Sequence, residues 1–381
     1  MSLLALAQLP DGARAEREAA ASDLTVVVSG RAYSGWISVN VYRSLDDAAS
    51  RFAVAGVIRW PGENNPVRIG RDDAITVKIG RDKVLSGYVD NVRFAPGTGI
   101  VSVEGRSRTA DLVDCSAKPG QYKGLTLSEF ASELARPFGV QVVTDTTTFN
   151  RQLKRTHVKP GASVYQEIER AARAAGVLVT DDPDGRLCLI RAGGNRSSTR
   201  LVVGENILLG AEVSSDMSAR YSHYQVRSQT VGDDADYGDA VTSIEGLEED
   251  EGAGRYRLLI IDTPGLNRQD AKNRATWEAA TRAGKSVSAY FPVRGWRQGD
   301  GRLWEPNYRV RCTDRESGLD GDLLIRSVRY SVDAGGQLAE LTVVPELAYQ
   351  LQQPRTKTPV KGRKRGAWME LADGVTLPEA P

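Results

Sequence analysis

Residues 84–107 read "VLSGYVDNVRFAPGTGIVSVEGRS". Val84–Phe94 and Gly99–Ser107 read as strands, and "APGTG" supplies the proline and glycines that turn one back on the other. Working outward, period-two alternation runs from Leu24 to Ser116. Ile37, Val39 and Val41 alternate with Ser38 and Asn40, and Ile75, Val77 and Ile79 alternate with Thr76 and Lys78. Alternation puts successive side chains on opposite faces of a sheet, so these short strands with glycine turns predict a β-barrel or sandwich. The 38 glycines in 381 residues suit many turns.

The period changes after Pro119. "GLTLSEFASELARPFGVQVV" carries a capping box, Thr126-x-x-Glu129, then Leu127, Phe130 and Leu134 at helical spacing, with Gly139 placed to end the helix before a strand. "GASVYQEIERAARAAGVLVT" repeats the grammar: a box at Ser163-x-x-Gln166, a face of Val164, Ile168 and Ala171, then Gly176 and a strand that "DDPDG" turns back. From Leu201 strands return in "SHYQVRSQTV", "RYRLLIIDT", "SVSAYFPVRGW" and "NYRVRCTD", followed by a hairpin of Leu323–Asp333 and Leu338–Pro345 around "AGGQ". Gly232–Gly254 holds nine acidic and no basic residues and reads as a loop, and Arg355–Gly366 holds six Lys/Arg and no acid.

The expected organisation is an N-terminal arm (1–23), a first tube-like β domain (24–118), a small α/β module (119–200), a second tube-like β domain (201–350) and a basic flexible tail (351–381). The second β domain includes the acidic loop (232–254) and a polar helix (267–283). A length of 381 residues is consistent with several domains. A net charge of +1 marks the whole chain as neither a nucleic-acid magnet nor an acidic scavenger. Cys115, Cys188 and Cys312 are widely spaced without a C-x-x-C pair, and with only two histidines no zinc site is expected. They read as reduced residues in or near strands, as cytoplasmic folding would leave them. The first 20 residues make a poor signal peptide, and no run approaches a membrane span.

One stretch invites a different function. "LLIIDTPGLN" (258–267) resembles the magnesium-binding turn of a GTPase, and "AGKS" (283–286) resembles the end of a phosphate loop. A phosphate loop needs a glycine five before Gly284, where Ala279 stands, and must open a helix, not end one. A helix C-terminus carries negative partial charge, the wrong sign for phosphate. Asn267 is better read as a helix N-cap after a Pro264-Gly265 turn. No G-x-S-x-G or H-E-x-x-H occurs, "GTGIVS" lacks the third glycine of a dinucleotide fingerprint, and acid pairs such as Asp181/Asp182 sit in turns where solvation explains them. No enzyme, cofactor or metal is expected.

The succession of "LTVVVSGRAYSGWISVNVYRSLDDAASRF", "VKIGRDKVLSGYVDNVRF", "VEGRSRTADLVDCSA", "VRGWRQGDGRLWEPNYRVRCTD" and "DLLIRSVRYSVDAGGQLAELTVVPELAY" resembles the baseplate hub proteins of contractile-tailed, Mu-like phages. These are related to the late control D and tail-spike-hub families. The resemblance spans Leu24 to Tyr349 and rests on no catalytic signature. It implies a virion structural protein, assembled in the host cytoplasm. As a homotrimeric ring it would have two tube-like β domains per chain, matching the hexameric tail tube on one side and the trimeric central spike on the other. Other baseplate proteins would contact it, and DNA would cross its channel without specific binding.

On that resemblance, Arg31, Tyr33 and Trp36 around "GRAYSG", and Trp296, Trp304 and Tyr308 in "GWRQGDGRLWEPNY", are candidate subunit contacts. Packing inside their own domain explains them equally well. Arg355, Lys357, Lys361, Arg363, Lys364 and Arg365 are candidates for touching the spike, another baseplate protein or DNA, or for solubilising an unstructured end. The alternative function is a peptidoglycan-binding module or cell-wall hydrolase component, which the two helix–Gly–strand units between Gly124 and Ile190 would carry. A nucleic-acid-binding protein is a third, resting only on the tail.

Overall fold

In a computed structural model of the chain, the described residues are 24–57, 69–144, 153, 156–175, 177–228, 244–262, 268–333, 336–349, 368–371 and 375–378. The N-terminal arm, Gly176, the Pro264–Asn267 turn and cap, and the six basic tail positions lie outside them.

The first lobe consists of β1 (Leu24–Val28), β2 (Arg31–Tyr33), β3 (Ser38–Ser44), β4 (Arg51–Val57), β5 (Ala74–Ile79), β6 (Asp82–Ala95) and β7 (Ile100–Ser107). They run in spatial order β3-β4-β7-β6-β5-β1-β2, every neighbour antiparallel. The alternation does what the pattern requires. Val39, Val41, Ile75, Val77 and Ile79 are buried, while Ser38 and Asn40 are exposed.

The α/β module opens with α1 (Ala110–Asp114), upstream of where the change of period marked it, and Leu112 and Ala117 already belong to its core. Next come β8 (Gly120–Tyr122), α2 (Leu127–Ala135), β9 (Val142–Thr144), β10 (Thr156–Val158), α3 (Val164–Ala175), β11 (Leu178–Asp181) and β12 (Leu187–Ile190). Both capping boxes form: Thr126 with Glu129, and Ser163 with Gln166 at 3.1 and 3.2 Å. Leu127, Phe130 and Leu134 of α2 meet Val164 and Ile168 of α3 in one core with Leu187 and Leu189.

The remaining chain gives β13 (Asn195–Arg196), β14 (Leu201–Val202), β15 (Glu212–Ser215), β16 (His223–Ser228), β17 (Ile244–Glu249), β18 (Leu258–Asp262), α4 (Arg268–Lys285), β19 (Val287–Arg294), β20 (Tyr308–Asp314), β21 (Leu319–Asp333), β22 (Gly336–Val344), β23 (Trp368–Leu371) and β24 (Val375–Pro378). Two of these depart from expectation. Ile244–Glu249, inside the acidic stretch read as a loop, is a strand paired along its length with β16. The tail read as unstructured contains the β23–β24 hairpin, tied to β21 through Thr376 and Asp320. The two β regions form one 16-stranded sheet in which β21 pairs with β3. Among the described residues no pairing closes either lobe into a barrel. A single hydrophobic cluster, from Leu24 to Val343, fills both lobes.

The module docks on the first lobe through its β11–β12 hairpin. Ser86 Oγ donates to the Pro183 carbonyl at 2.9 Å, Lys83 pairs with Asp184, and Thr180 Oγ1 donates to the Ser44 carbonyl at 3.2 Å. Gly185 turns the hairpin at φ +75°, and a Cβ there would sit 2.6 Å from the Ser86 carbonyl oxygen. Only glycine fits both the backbone and the contact.

Gly185→Val is expected to cost about 3 kcal/mol by overpacking this contact, measured as an earlier transition in urea unfolding. The thiols give a second check. Cys115 is exposed, whereas burial pushes the Cys188 thiol up to about 12 and raises that of buried Cys312 further. A disulfide reagent should modify one thiol per native chain rapidly and all three after denaturation.

Candidate functional site

The residues singled out in "GWRQGDGRLWEPNY" converge on the junction between the lobes. Trp296 Nε1 donates to the Ser331 and Leu338 carbonyls, each at 3.1 Å, and its ring meets Tyr330 edge-to-face with centroids 6.3 Å apart. Tyr330 is wholly buried and donates its hydroxyl to the Trp304 carbonyl. The loop then reaches across: Arg297 Nη1 lies 2.5 Å from Asp82 Oδ2, and its Nη2 donates to the Ile79 carbonyl at 3.0 Å, both in the first lobe.

Trp36, Trp296 and Trp304 are each 1% exposed, inside the protomer's own core. Within the single chain these rings pack inside their own domain, the reading that the sequence left open beside subunit contact. Trp36 Nε1 donates to the Tyr33 carbonyl at 3.2 Å, which closes the "GRAYSG" turn. Tyr33 and Tyr308 are half-buried against the same core, and Arg31 is exposed on the edge strand β2.

A buried polar cluster links all three units. Arg43 of β3 is 7% exposed, with Nη1 3.4 Å from Glu305 Oε1 of the second lobe. Asp181 of the module is 5% exposed and accepts from Ser50 N and Ser50 Oγ, both at 2.8 Å, and from Ser107. This corrects the reading of Asp181 as a solvated turn residue. Burial lifts its carboxyl above the ordinary range, while Arg43, Ser107 and Ser50 pull it back. Neither Arg43 nor Asp181 carried a local signal, since both stand where strand alternation or turn chemistry already accounted for them.

Over the junction the sheet forms a concave groove of 570 Å³ whose lining includes Asn40, Tyr42, Arg51, Arg106 and Arg329. The Tyr42 ring faces the guanidinium groups of Arg51 at 5.3 Å and Arg329 at 5.8 Å. Arg106 is paired with Asp90 and Asp114, each at 2.7 Å. The Arg106 guanidinium is thus shared between two carboxylates at the exposed surface. Among the described residues no group of three or more His, Cys, Asp or Glu side chains is placed to hold a metal. No helix among them is long and apolar enough to cross a membrane.

Known proteins resemble the chain over most of its length. Residues 23–107 match the N-terminal domain of Mu phage baseplate assembly protein GpP-like proteins. Residues 109–191 match the second domain of baseplate hub protein gp44-like proteins, and 267–352 match the fourth domain of Mu phage baseplate assembly protein GpP. Baseplate hub protein gp44 of Escherichia phage Mu is 33% identical over 303 residues, 75% of this chain and 78% of gp44. The 43 kDa tail protein of prophage MuSo2 from Shewanella oneidensis superposes with a TM-score of 0.76 at 31% identity, covering 86% of this chain and 99% of that one. A tail protein from Neisseria meningitidis MC58 shares the fold, with a TM-score of 0.70 at 20% identity over 85% and 96% of the two chains.

Arg43→Met is expected to destabilise the protein by about 3 kcal/mol, because it leaves buried Asp181 without its cationic neighbour. An elevated carboxyl pKa means the ionised form carries the cost, so stability is lost as pH rises through that pKa. The deficit of the variant should therefore be largest near neutral pH and shrink in acid, measured by urea unfolding across pH.

Proposed function

The chain belongs to the baseplate hub family of Mu-like phages, and from that premise we propose that it is the trimeric adaptor between the tail tube and the central spike. It is a baseplate hub component of a phage tail that assembles with other tail and baseplate proteins. The finer reading is that each chain supplies two strand-built lobes, so three chains present six to a hexameric tube and keep threefold symmetry for the spike. One observation carries it: the β3–β21 pairing, which joins two β lobes of a single chain side by side in one sheet. A closed ring then covers lobe surfaces that a lone protomer leaves open.

We read the chain as non-catalytic. The junction holds ion pairs and packed aromatics, and its function on this reading is mechanical. The cell-wall alternative is not favoured, since the two helices it rested on bury their faces in a module that matches a baseplate hub second domain.

Light scattering on the purified chain at several concentrations should give three times the 41.3 kDa chain mass, and electron microscopy should give a ring. A single-chain mass at all concentrations would overturn the adaptor reading.

A further inference from the structure

The segment between the matched second and fourth domains, 192–266, carries a small layer whose outer surface has no described partner. Strands β17, β16 and β18 form a separate three-stranded sheet in that order. One face packs on α4 through Tyr224, Val226, Ala271, Ala275 and Ala279. The approach is so close that a Cβ on Gly246 would lie 2.2 Å from the Ala271 carbonyl carbon.

The other face is open among the described residues. Register places Leu247, Gln225 and Ile260 in one row across it, with Glu249, His223 and Leu258 on one side and Glu245, Arg227 and Asp262 on the other. Leu247 is 61% exposed, Ile260 48% and Leu258 41%, and Tyr256 beside His223 is 72% exposed. Four of the ten large apolar side chains exposed among the described residues therefore fall on this one patch. Both outer strands lack a second partner among the described residues. An apolar face this concentrated, on a sheet with two open edges, is the kind of surface proteins cover.

Charge identifies what covers it. Among the described residues on this face Glu245, Glu249 and Asp262 border the apolar row against Arg227 as the one permanent cation, so the face is acidic and repels a second copy of itself. The helix on the far side of the same layer has the opposite character. α4 carries Arg268, Lys272, Arg274, Arg282 and Lys285 against Asp270 and Glu278, and Glu278 already bonds Arg274 and Arg282. Arg268 and Lys272 are exposed, and Arg274 lies over the Trp277 ring at 4.3 Å. Arg282 donates to the Ala219 carbonyl and Gly284 packs on Ala348, so the basic surface left exposed is the first part of α4, with Arg268, Lys272 and Arg274. Contact between the sheet face and that helix surface is heterologous, and heterologous contacts close into rings when the rotation allows.

We propose that the outer face of the β17–β16–β18 sheet is the docking face for the α4 surface of a neighbouring copy of this chain. The inference rests on the homo-oligomeric reading above and gives it a contact surface. It predicts a ring held by opposite charges around an apolar centre, weakened by salt.

The test uses the full chain and two charge reversals, Glu245→Lys with Glu249→Lys on the sheet and Arg268→Glu with Lys272→Glu on the helix. Each pair alone should raise the concentration of half-dissociation at least about tenfold in sedimentation, and all four together should restore assembly. A wild-type chain that is a monomer would remove the ring reading and this inference with it. A wild-type ring that neither reversal weakens, or that the combined variant fails to restore, would overturn the docking while leaving the ring intact. Hydrogen exchange on the unmutated chain is independent of variant folding. Amides of Leu258–Asp262 should lose protection on dilution, and protection that does not change with concentration would overturn the proposal.

Discussion

The backbone pairing of β3 with β21 is the constraint on which the architecture turns. β21 is 15 residues long and serves two partners along one edge: Leu319–Leu324 pairs with β20 and Ser327–Ser331 with β3. The switch falls at Arg326, where the register with β22 slips between Ile325 and Ser327. A bulge of this kind bends a strand and ends one pairing so that another can begin. The Arg326 carbonyl accepts from Leu45 N at 2.9 Å, its guanidinium pairs with Asp46, and Tyr349 Oη donates to the same carboxylate at 2.6 Å. The displaced residue is therefore tied down on both sides. The lobes share ladder hydrogen bonds and a common core, so their relative orientation is set by the sheet and not by a linker.

The buried ions at the junction have a different role from the aromatics around them. Trp296 and Tyr330 bury large rings whose polar tips are hydrogen-bonded, so their burial favours folding. Arg43 and Asp181 must first be stripped of water, and their attraction at best offsets that loss. What such groups add is discrimination. Arg43 comes from the first lobe, Glu305 from the second and Asp181 from the module, so a misplaced unit strands a buried charge. On this reading the cluster selects one arrangement of three units that hydrophobic packing alone would leave less sharply defined.

Much of this was legible in the chain, and the unread part has a common cause. Alternation revealed Val39, Val41, Ile75 and Val77 because a half-buried strand leaves its mark within a few residues. Thr126 with Glu129 and Ser163 with Gln166 revealed their helices for the same reason. The pairing of Tyr42 with Arg329 leaves no such mark, since nothing near either residue encodes the other. Asp181 looked solvated because turn chemistry explains an aspartate locally, and its partners, Ser50 just before β4 and Ser107 at the end of β7, come from far away in the chain. The strand Ile244–Glu249 looked like a loop because glutamates disfavour strands. It forms because β16 supplies a ladder and Gly246 lets α4 press against it.

The ends of the large sheet constrain how such a chain can associate. Its path runs from β15 to β2, strands of four and three residues, and β2 carries exposed Arg31. Short, charged edges are poor templates for strand addition, which keeps a sheet of this size from growing without limit. They are equally poor means of joining one hub chain to the next by extended backbone pairing. On the proposed ring reading, association of copies would rely on faces, where charge pattern and shape set the angle between neighbours. A strand-to-strand seam within each chain and a face-to-face seam between chains would then be physically different joints, so six lobes around a ring would be equivalent in outline but alternate in stiffness.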